Sequence, residues 1–188
     1  VTGLPANPVV REGRHRAAEE PTSQRFCSEL GKFEVETAPD VHVDGPRPLR
    51  NIPAPAQGTF RTSYAGDGRY RFDVITIEHL EGRYPDDQTM VREVLTQLDG
   101  SPGAVTISRV DNRAFHAEAW ATEDFDGRRY ESFAVGANGN VTILSVAVSL
   151  DEVSTIEVAQ AQHRYLAGMR SSLWFPWLDQ PPAVKVAC

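Results

Sequence analysis

The sequence predicts an α+β protein in which an antiparallel β-sheet is covered by amphipathic helices. Residues 69–80 are rich in β-branched and aromatic side chains, as in a central strand. Three further strand patterns follow one another between residues 114 and 149, with only short turns between them. Apolar residues recur with helical spacing both before and after those three strands. At 188 residues the chain is long enough for one sizeable core.

The N-terminal segment, residues 1–58, is predicted to be an extended Pro-rich arm. It contains eight prolines, and proline fixes φ and lacks a backbone N–H, so the segment cannot hold a long helix. Within it, Ser23–Leu30 predicts a short helix that ends at Gly31. Phe33–Thr37 alternates apolar with acidic residues and predicts a strand. The arm either wraps its own domain, residues 59–188, or reaches a neighbouring molecule.

The single domain at residues 59–188 opens with a strand and a helix. After the strand Arg69–Leu80, Pro85 and two aspartates mark a helix start, where the helix dipole favours negative charge. The apolar residues that form the buried face of this helix are Met90, Val91, Val94, Leu95 and Leu98. Gly100 ends the helix, and Ala104–Val110 predicts the next strand.

A three-stranded β-meander is predicted over residues 114–149. Its strands are Ala114–Thr122, Arg128–Val135 and Val141–Ser149. The turn at 126–127 is Asp-Gly and the turn at 137–140 contains Asn-Gly, and these residues tolerate the positive φ that tight hairpins require.

A long amphipathic helix from Ser154 to Leu173 closes the domain. Ser154 and Glu157 have the spacing of a capping box, in which each side chain satisfies a backbone N–H of the first turn. The face predicted to lie on the sheet consists of Val158, Ala161, Tyr165, Met169 and Leu173. Pro176 cannot continue the helix, so the helix ends before it.

The order of elements in the domain is itself informative. From residue 59 onward it is strand, helix, strand, three-stranded meander and a closing helix that ends at Met169–Leu173. Together with the hairpin Asp126–Tyr130 (DGRRY), this order resembles the PsbP-like fold, named for an extrinsic lumenal subunit of photosystem II. The resemblance implies an α/β/α sandwich. It also implies an extracytoplasmic accessory subunit with no chemistry of its own.

Charge and apolar run length disfavour two kinds of interaction. The formal net charge is −7; residues 1–71 carry 10 basic and 9 acidic residues, whereas residues 72–188 carry 9 and 17. This excess of acidic residues is typical of a solvated protein surface, and it disfavours binding to the phosphates of nucleic acid. The longest apolar run, Val141–Val148, has the length of a strand and not the roughly 18–20 residues of a membrane span. We therefore expect no nucleic-acid partner and no membrane-spanning segment.

The first residue and the two cysteines predict a periplasmic or secreted protein. The chain begins with Val1, which indicates a cleaved signal peptide, the alternative being a trimmed chain. Cys27 and Cys188 match no zinc or redox motif, so a disulfide between them is predicted in an oxidising compartment. Two separate thiols in the cytosol are the alternative. In the chain-entropy model a bridge that closes so long a loop contributes about 5 kcal/mol.

The familiar catalytic patterns do not occur in the sequence. There is no G-x-S-x-G, and neither cysteine lies in a catalytic signature. Gly66 and Gly68 precede a strand and indicate a turn, whereas a phosphate-binding loop precedes a helix. We therefore expect neither enzymatic activity nor a cofactor. An unrecognised hydrolase that uses His116 or Glu118 is the least favoured alternative.

One group of candidate binding residues belongs to the meander. The alternation of its first strand places His116, Glu118 and Trp120 on one face, and with Tyr130 they predict a ligand pocket between the sheet and the last helix. His79 on a neighbouring strand would add a third metal ligand. An exposed polar face explains the same residues without a metal, and no metal site is predicted.

A second group follows the last helix directly. It consists of Trp174, Phe175, Trp177 and Leu178. Such a segment either folds back onto the core, since tryptophan is mostly buried, or forms an exposed aromatic contact with a partner. The main functional expectation is a non-catalytic accessory subunit that docks to a larger assembly through the arm and this aromatic segment. The alternative is a small-ligand-binding periplasmic protein.

Overall fold

The structure is a computed structural model that describes residues 24–28, 33–37, 42–43, 47–50, 52, 54–66, 68–97, 105–113 and 116–172. The strands in this part of the chain are β1 (Gln24–Ser28), β2 (Phe33–Thr37), β3 (His42–Val43), β4 (Arg47–Pro48), β5 (Gln57–Ala65), β6 (Tyr70–Glu78), β7 (Val105–Arg113), β8 (His116–Phe125), β9 (Arg128–Ala137) and β10 (Asn140–Ser149). The helices are α1 (Asp87–Gln97), α2 (Leu150–Val153) and α3 (Ile156–Ser172).

An antiparallel sheet forms the centre of the molecule. Its strand order is β3-β5-β6-β10-β9-β8-β7, and β4 also pairs with β5. β10 lies between β6 and β9, and its residues Val141–Val148 are all buried. Burial on both faces explains why this strand is a nearly continuous apolar run.

Helices cover both faces of the sheet, and each face has its own core. On one side, Leu166 and Met169 of α3 pack with a cluster that includes Phe72 and Leu144. On the other side, α1 packs with a cluster that includes Val141. The predicted α+β class and its α/β/α layering are therefore confirmed.

The start of α1 has an aspartate cap. The Asp86 carboxylate accepts a hydrogen bond from the backbone N–H of Thr89 at 2.6 Å. This bond lowers the pKa of Asp86 below its ordinary value. Asp86 thus satisfies one of the amides that a helix N-terminus leaves without an intrahelical partner.

α1 approaches the sheet closely at a glycine. A Cβ atom added to Gly136 of β9 would overlap Cγ2 of Val91 and lie 3.1 Å from Cε of Met90. A residue with no side chain at this position lets the buried face of the helix reach the strand.

The N-terminal segment contributes strands. β3 and β4 pair with β5, and β1 and β2 form a separate antiparallel pair in which β2 contacts α3. The predicted helix at Ser23–Leu30 is wrong over Gln24–Ser28, which is β1. Pairing with β2 satisfies the backbone groups of these residues through the ladder, whereas an isolated helix so short is marginal in water.

β5 was not expected from the sequence. It pairs with β6 from Gln57 to Ala65, so the predicted arm boundary at residue 58 falls within a strand. Its sequence QGTFRTSYA is too polar to stand out as a strand pattern.

The predicted capping box of the last helix is also wrong. A short helix, α2, precedes α3, and Ser154 is the C-cap residue of α2, with helical φ and ψ. The Ser154 hydroxyl donates to the carbonyl of Asp151 at 3.2 Å. An N-cap residue needs an extended backbone, so Ser154 cannot fill that role.

No helix in the described ranges is both long enough and apolar enough to cross a membrane.

Candidate functional site

The face of the sheet that carries α1 is organised in rows, because opposed residues on antiparallel strands point to the same side. The row beyond the helix, here called the polar row, consists of Thr62, Asp73, Ser145, Ser132 and Ala121. The next row outward, here called the outer row, consists of Tyr64, Arg71, Ala147, Tyr130 and Glu123. Polar side chains therefore collect on one half of a face whose other half is apolar core.

A pocket of about 210 Å³ lies over these two rows, here called the α1-face pocket. Its polar lining consists of Arg71, Asp73, Glu123, Tyr130, Ser132 and Ser145. Its apolar walls consist of Leu49, Phe60, Ile75, Leu95, Val105, Ala121, Phe125 and Ile143. Most of the walls are apolar and a few polar groups converge at one side, which is the usual composition of a small-molecule site.

The floor of the pocket is a hydrogen-bonded network. Thr62 Oγ1 donates to Oδ1 of Asp73 at 2.6 Å, and Nε of Arg71 lies 3.0 Å from Oδ2 of the same carboxylate. The hydroxyl oxygens of Ser132 and Ser145 lie 2.7 Å apart. These bonds hold the polar side chains in defined positions before any ligand arrives.

Asp73 binds Arg71 through only one of the three guanidinium nitrogens, Nε. Both of its contacts with Asp73 use Nε, and within the described residues neither Nη atom has a hydrogen-bond partner. Burial lowers the pKa of Arg71, but the charge and hydrogen bond of Asp73 outweigh burial and raise that pKa above its ordinary value. Arg71 is therefore a cation that Asp73 holds in place, and its Nη donors have no acceptor in the described part of the chain.

Tyr130 lies on the wall beside Arg71. It is partly buried, and this burial raises the pKa of its phenol above the ordinary value. At physiological pH the side chain is a neutral group that both donates and accepts hydrogen bonds.

The opposite face of the sheet carries the other predicted residues. His116 Nε2 lies 3.1 Å from Oε1 of Glu118, and Arg170 Nη2 lies 3.4 Å from Oε2 of Glu118. The guanidinium of Arg170 is 5.7 Å from the ring centre of Trp120 and 5.1 Å from that of Phe133. These contacts fasten the last turn of α3 to β8 and β9 through ion pairing and cation–π attraction.

The predicted pocket of His116, Glu118, Trp120 and Tyr130 is therefore divided between two faces. Tyr130 pairs with Glu123, an odd-numbered residue of β8, so it points away from the three even-numbered residues. His79 lies beyond the end of β6, where its backbone N–H binds the side chain of Asn140. Across the residues that the structure covers, no three His, Cys, Asp or Glu side chains are grouped as a metal site.

Several predicted residues lie outside the described part of the chain. These are Cys188 and the aromatic segment Trp174, Phe175, Trp177 and Leu178. Cys27 belongs to β1, but its side chain is also outside the described part. The disulfide and the role of the aromatic segment stay predictions.

The polar row was not predicted, although two polar residues in buried strands indicate it. Ser145 interrupts the apolar run of β10, and Asp73 is a lone charge in the buried strand β6. A polar residue at an inward position of a buried strand is uncommon unless it is hydrogen-bonded. Tracing such positions across neighbouring strands identifies the pocket, provided that the strand register is known.

Comparisons with known proteins bear on the fold alone. No family model matches the chain, and no curated protein is similar to it in sequence. Among solved structures it resembles cyanobacterial PsbP from Synechocystis sp. PCC 6803, with a TM-score of 0.52 and 10% identity over 82% of this chain and 92% of that protein. A protein of unknown function from Pseudomonas aeruginosa, PA94, is 8% identical over 76% of this chain and 94% of that one, with a TM-score of 0.33 that is too low for any argument. The fold is PsbP-like, as the sequence resemblance implied.

Proposed function

We propose that this chain is a non-catalytic accessory subunit that docks to a larger protein assembly outside the cytoplasm. The observation that carries the proposal is the PsbP-like fold, which extends over 92% of the cyanobacterial protein that it resembles. The resemblance read from the sequence implies the same role, since it points to an accessory subunit without chemistry of its own.

The proposed docking surface combines the N-terminal arm with the aromatic segment at 173–178. Strand β2 of the arm contacts α3, and the aromatic segment follows α3 directly in the chain. That both are adjacent to α3, one by contact and one by chain continuity, supports a single docking surface. Aromatic side chains are frequent among the residues that dominate binding energy at protein interfaces.

The docking surface is tested by co-purification of the tagged protein from its native source under mild conditions. Two variants are compared with the original: one lacks the residues before Cys27, and the other carries Trp174→Ala and Trp177→Ala. We expect both variants to lose the co-purifying protein while their circular dichroism and thermal midpoint stay close to those of the original.

Ile156→Ala provides a matched control. Ile156 is 75% exposed at the start of α3, at the opposite end of the helix from the aromatic segment. We expect Ile156→Ala to keep the co-purifying protein. This control shows whether removing any exposed apolar side chain disrupts association, or only removing those of the proposed surface. Association that survives both test variants rules out the proposed docking surface.

A second candidate function, binding of a small ligand, is favoured by the α1-face pocket. Its apolar walls and pre-ordered polar floor lie on the face of the sheet that carries α1, opposite to α3. Thermal-shift screening tests this candidate. A broad set of small molecules that yields no stabilising compound counts against it.

A further inference from the structure

We propose that the α1-face pocket binds a neutral molecule about the size of one substituted ring, through a carbonyl oxygen that accepts hydrogen bonds from the Nη atoms of Arg71. The inference rests on the second candidate function, ligand binding, and is independent of docking. Size, hydrogen-bonding capacity and charge each narrow the class of ligand.

The volume of the pocket sets the size. An apolar cavity of about 150 Å³ in a protein interior accommodates benzene. The α1-face pocket measures about 210 Å³, which leaves room for one ring and a small polar substituent. Phe60, Leu95, Val105 and Ile143 provide an apolar surface for the ring.

The donors of Arg71 set the hydrogen-bonding character of the ligand. Thr62 and Arg71 both bind Asp73, so the guanidinium is anchored through Nε. The Nη groups, which have no partner among the described residues, carry N–H donors only, and a guanidinium has no acceptor. A ligand therefore has to bring an acceptor, and a carbonyl oxygen is the neutral group best suited to two parallel donors.

The charge of the lining sets the charge of the ligand. Asp73 balances Arg71 in a direct ion pair, and Glu123 adds a further carboxylate to the wall. Arg128 influences Tyr130 electrostatically but does not belong to the lining. An anion therefore meets an ion pair that has no net positive charge, and a cation offers no acceptor to the N–H donors of Arg71. Neither drawback applies to a neutral carbonyl compound.

Four probes that share one phenyl ring test size, hydrogen bonding and charge separately: benzamide, benzoate, benzylamine and toluene. Each is titrated into the full-length protein, and binding is followed by the backbone amide NMR shifts of Tyr130, Ser132 and Ser145. We expect benzamide to shift these amides and to bind roughly tenfold more tightly than each other probe, because a hydrogen bond to a charged donor is worth about one such factor or more. Equal or tighter binding of benzoate or toluene overturns the proposal.

Arg71→Lys tests the donor. Lysine keeps the positive charge beside Asp73 but lacks the paired Nη atoms. We expect benzamide to bind about tenfold more weakly, while the thermal midpoint stays close to that of the original. Arg69→Lys is the matched control, because Arg69 is not part of the pocket lining and forms an ion pair with Glu152. Unchanged benzamide affinity in Arg71→Lys contradicts the assigned donor.

Two outcomes distinguish a wrong ligand class from the absence of a ligand site. If benzamide is silent but a compound without a neutral carbonyl group shifts the same amides, the ligand class is wrong and the second candidate function stands. If no compound shifts them, the pocket is not a ligand site and both are wrong. The docking proposal is affected by neither result.

Discussion

At the scale of single residues, Gly136 decides how closely α1 can lie on the sheet. The space that a Cβ atom would occupy is filled by Val91, a residue with no exposed surface. A larger side chain at such a core position lowers the stability of the fold, because the surrounding side chains are already close-packed.

We expect Gly136→Ala to lower the free energy of unfolding by about 1–3 kcal/mol, because Val91 and Met90 must move to admit the methyl group. Urea denaturation measures the change. Gly168→Ala in α3 is the matched control: nothing lies within 4 Å of the added Cβ, so alanine there is expected to raise stability by about 0.5–1 kcal/mol. Equal effects at the two positions would show that close approach is not the cause.

At the scale of elements, caps and registers determine where each helix and strand starts and what it faces. α1 starts where Asp86 caps it. Its buried residues Met90, Val91, Val94 and Leu95 belong to the predicted face, whereas Leu98 lies outside the described residues. α3 starts later than predicted, because Ser154 is the C-cap residue of α2. A capping-box pattern therefore indicates a helix end, but adjoining backbone conformation decides which helix it belongs to.

We expect Asp86→Ala to lower the urea midpoint of unfolding at neutral pH, because Thr89 loses the acceptor of its backbone N–H. The folded-state pKa of Asp86 is depressed, so its contribution is present above the ordinary carboxyl pKa and is lost as pH falls through the folded value. The difference between the two proteins should therefore shrink in acid. Asp86→Asn keeps a neutral acceptor, and a midpoint close to that of Asp86→Ala would contradict the role of the hydrogen bond.

Strand register shows how far the site could be predicted. The alternation of β8, the helical spacing of α1 and the turn at 126–127 were all evident from the sequence. A two-residue turn there pairs Phe125 with Arg128 and so places Tyr130 opposite Glu123. Tyr130 could thus have been assigned to the α1 face from the sequence. The pocket itself could not, because it also depends on β5, whose pattern is weak, and on where α1 ends.

At the scale of the whole molecule, the predicted compartment depends on the two cysteines. We expect Cys27 and Cys188 of the natively isolated protein to resist alkylation until a reductant is added, as mass spectrometry would detect. We also expect the Cys27→Ser, Cys188→Ser double variant to be less stable by up to about 5 kcal/mol, because the open chain gains entropy when it unfolds. Full alkylation without reductant would contradict both the disulfide and the oxidising compartment that it implies.

The position of β10 in the sheet has a consequence for biosynthesis. Among the described residues it is the last strand, yet it joins β6 to β9: Ile75 pairs with Ile143, and Ile143 pairs with Ala134. The hairpin of β5 and β6 and the strands β7–β9 have no pairing with each other except through it. Contacts so distant in sequence form slowly, because the intervening chain must first be ordered. A ribosome therefore has to deliver residues as far as 149 before the two parts of the sheet can join.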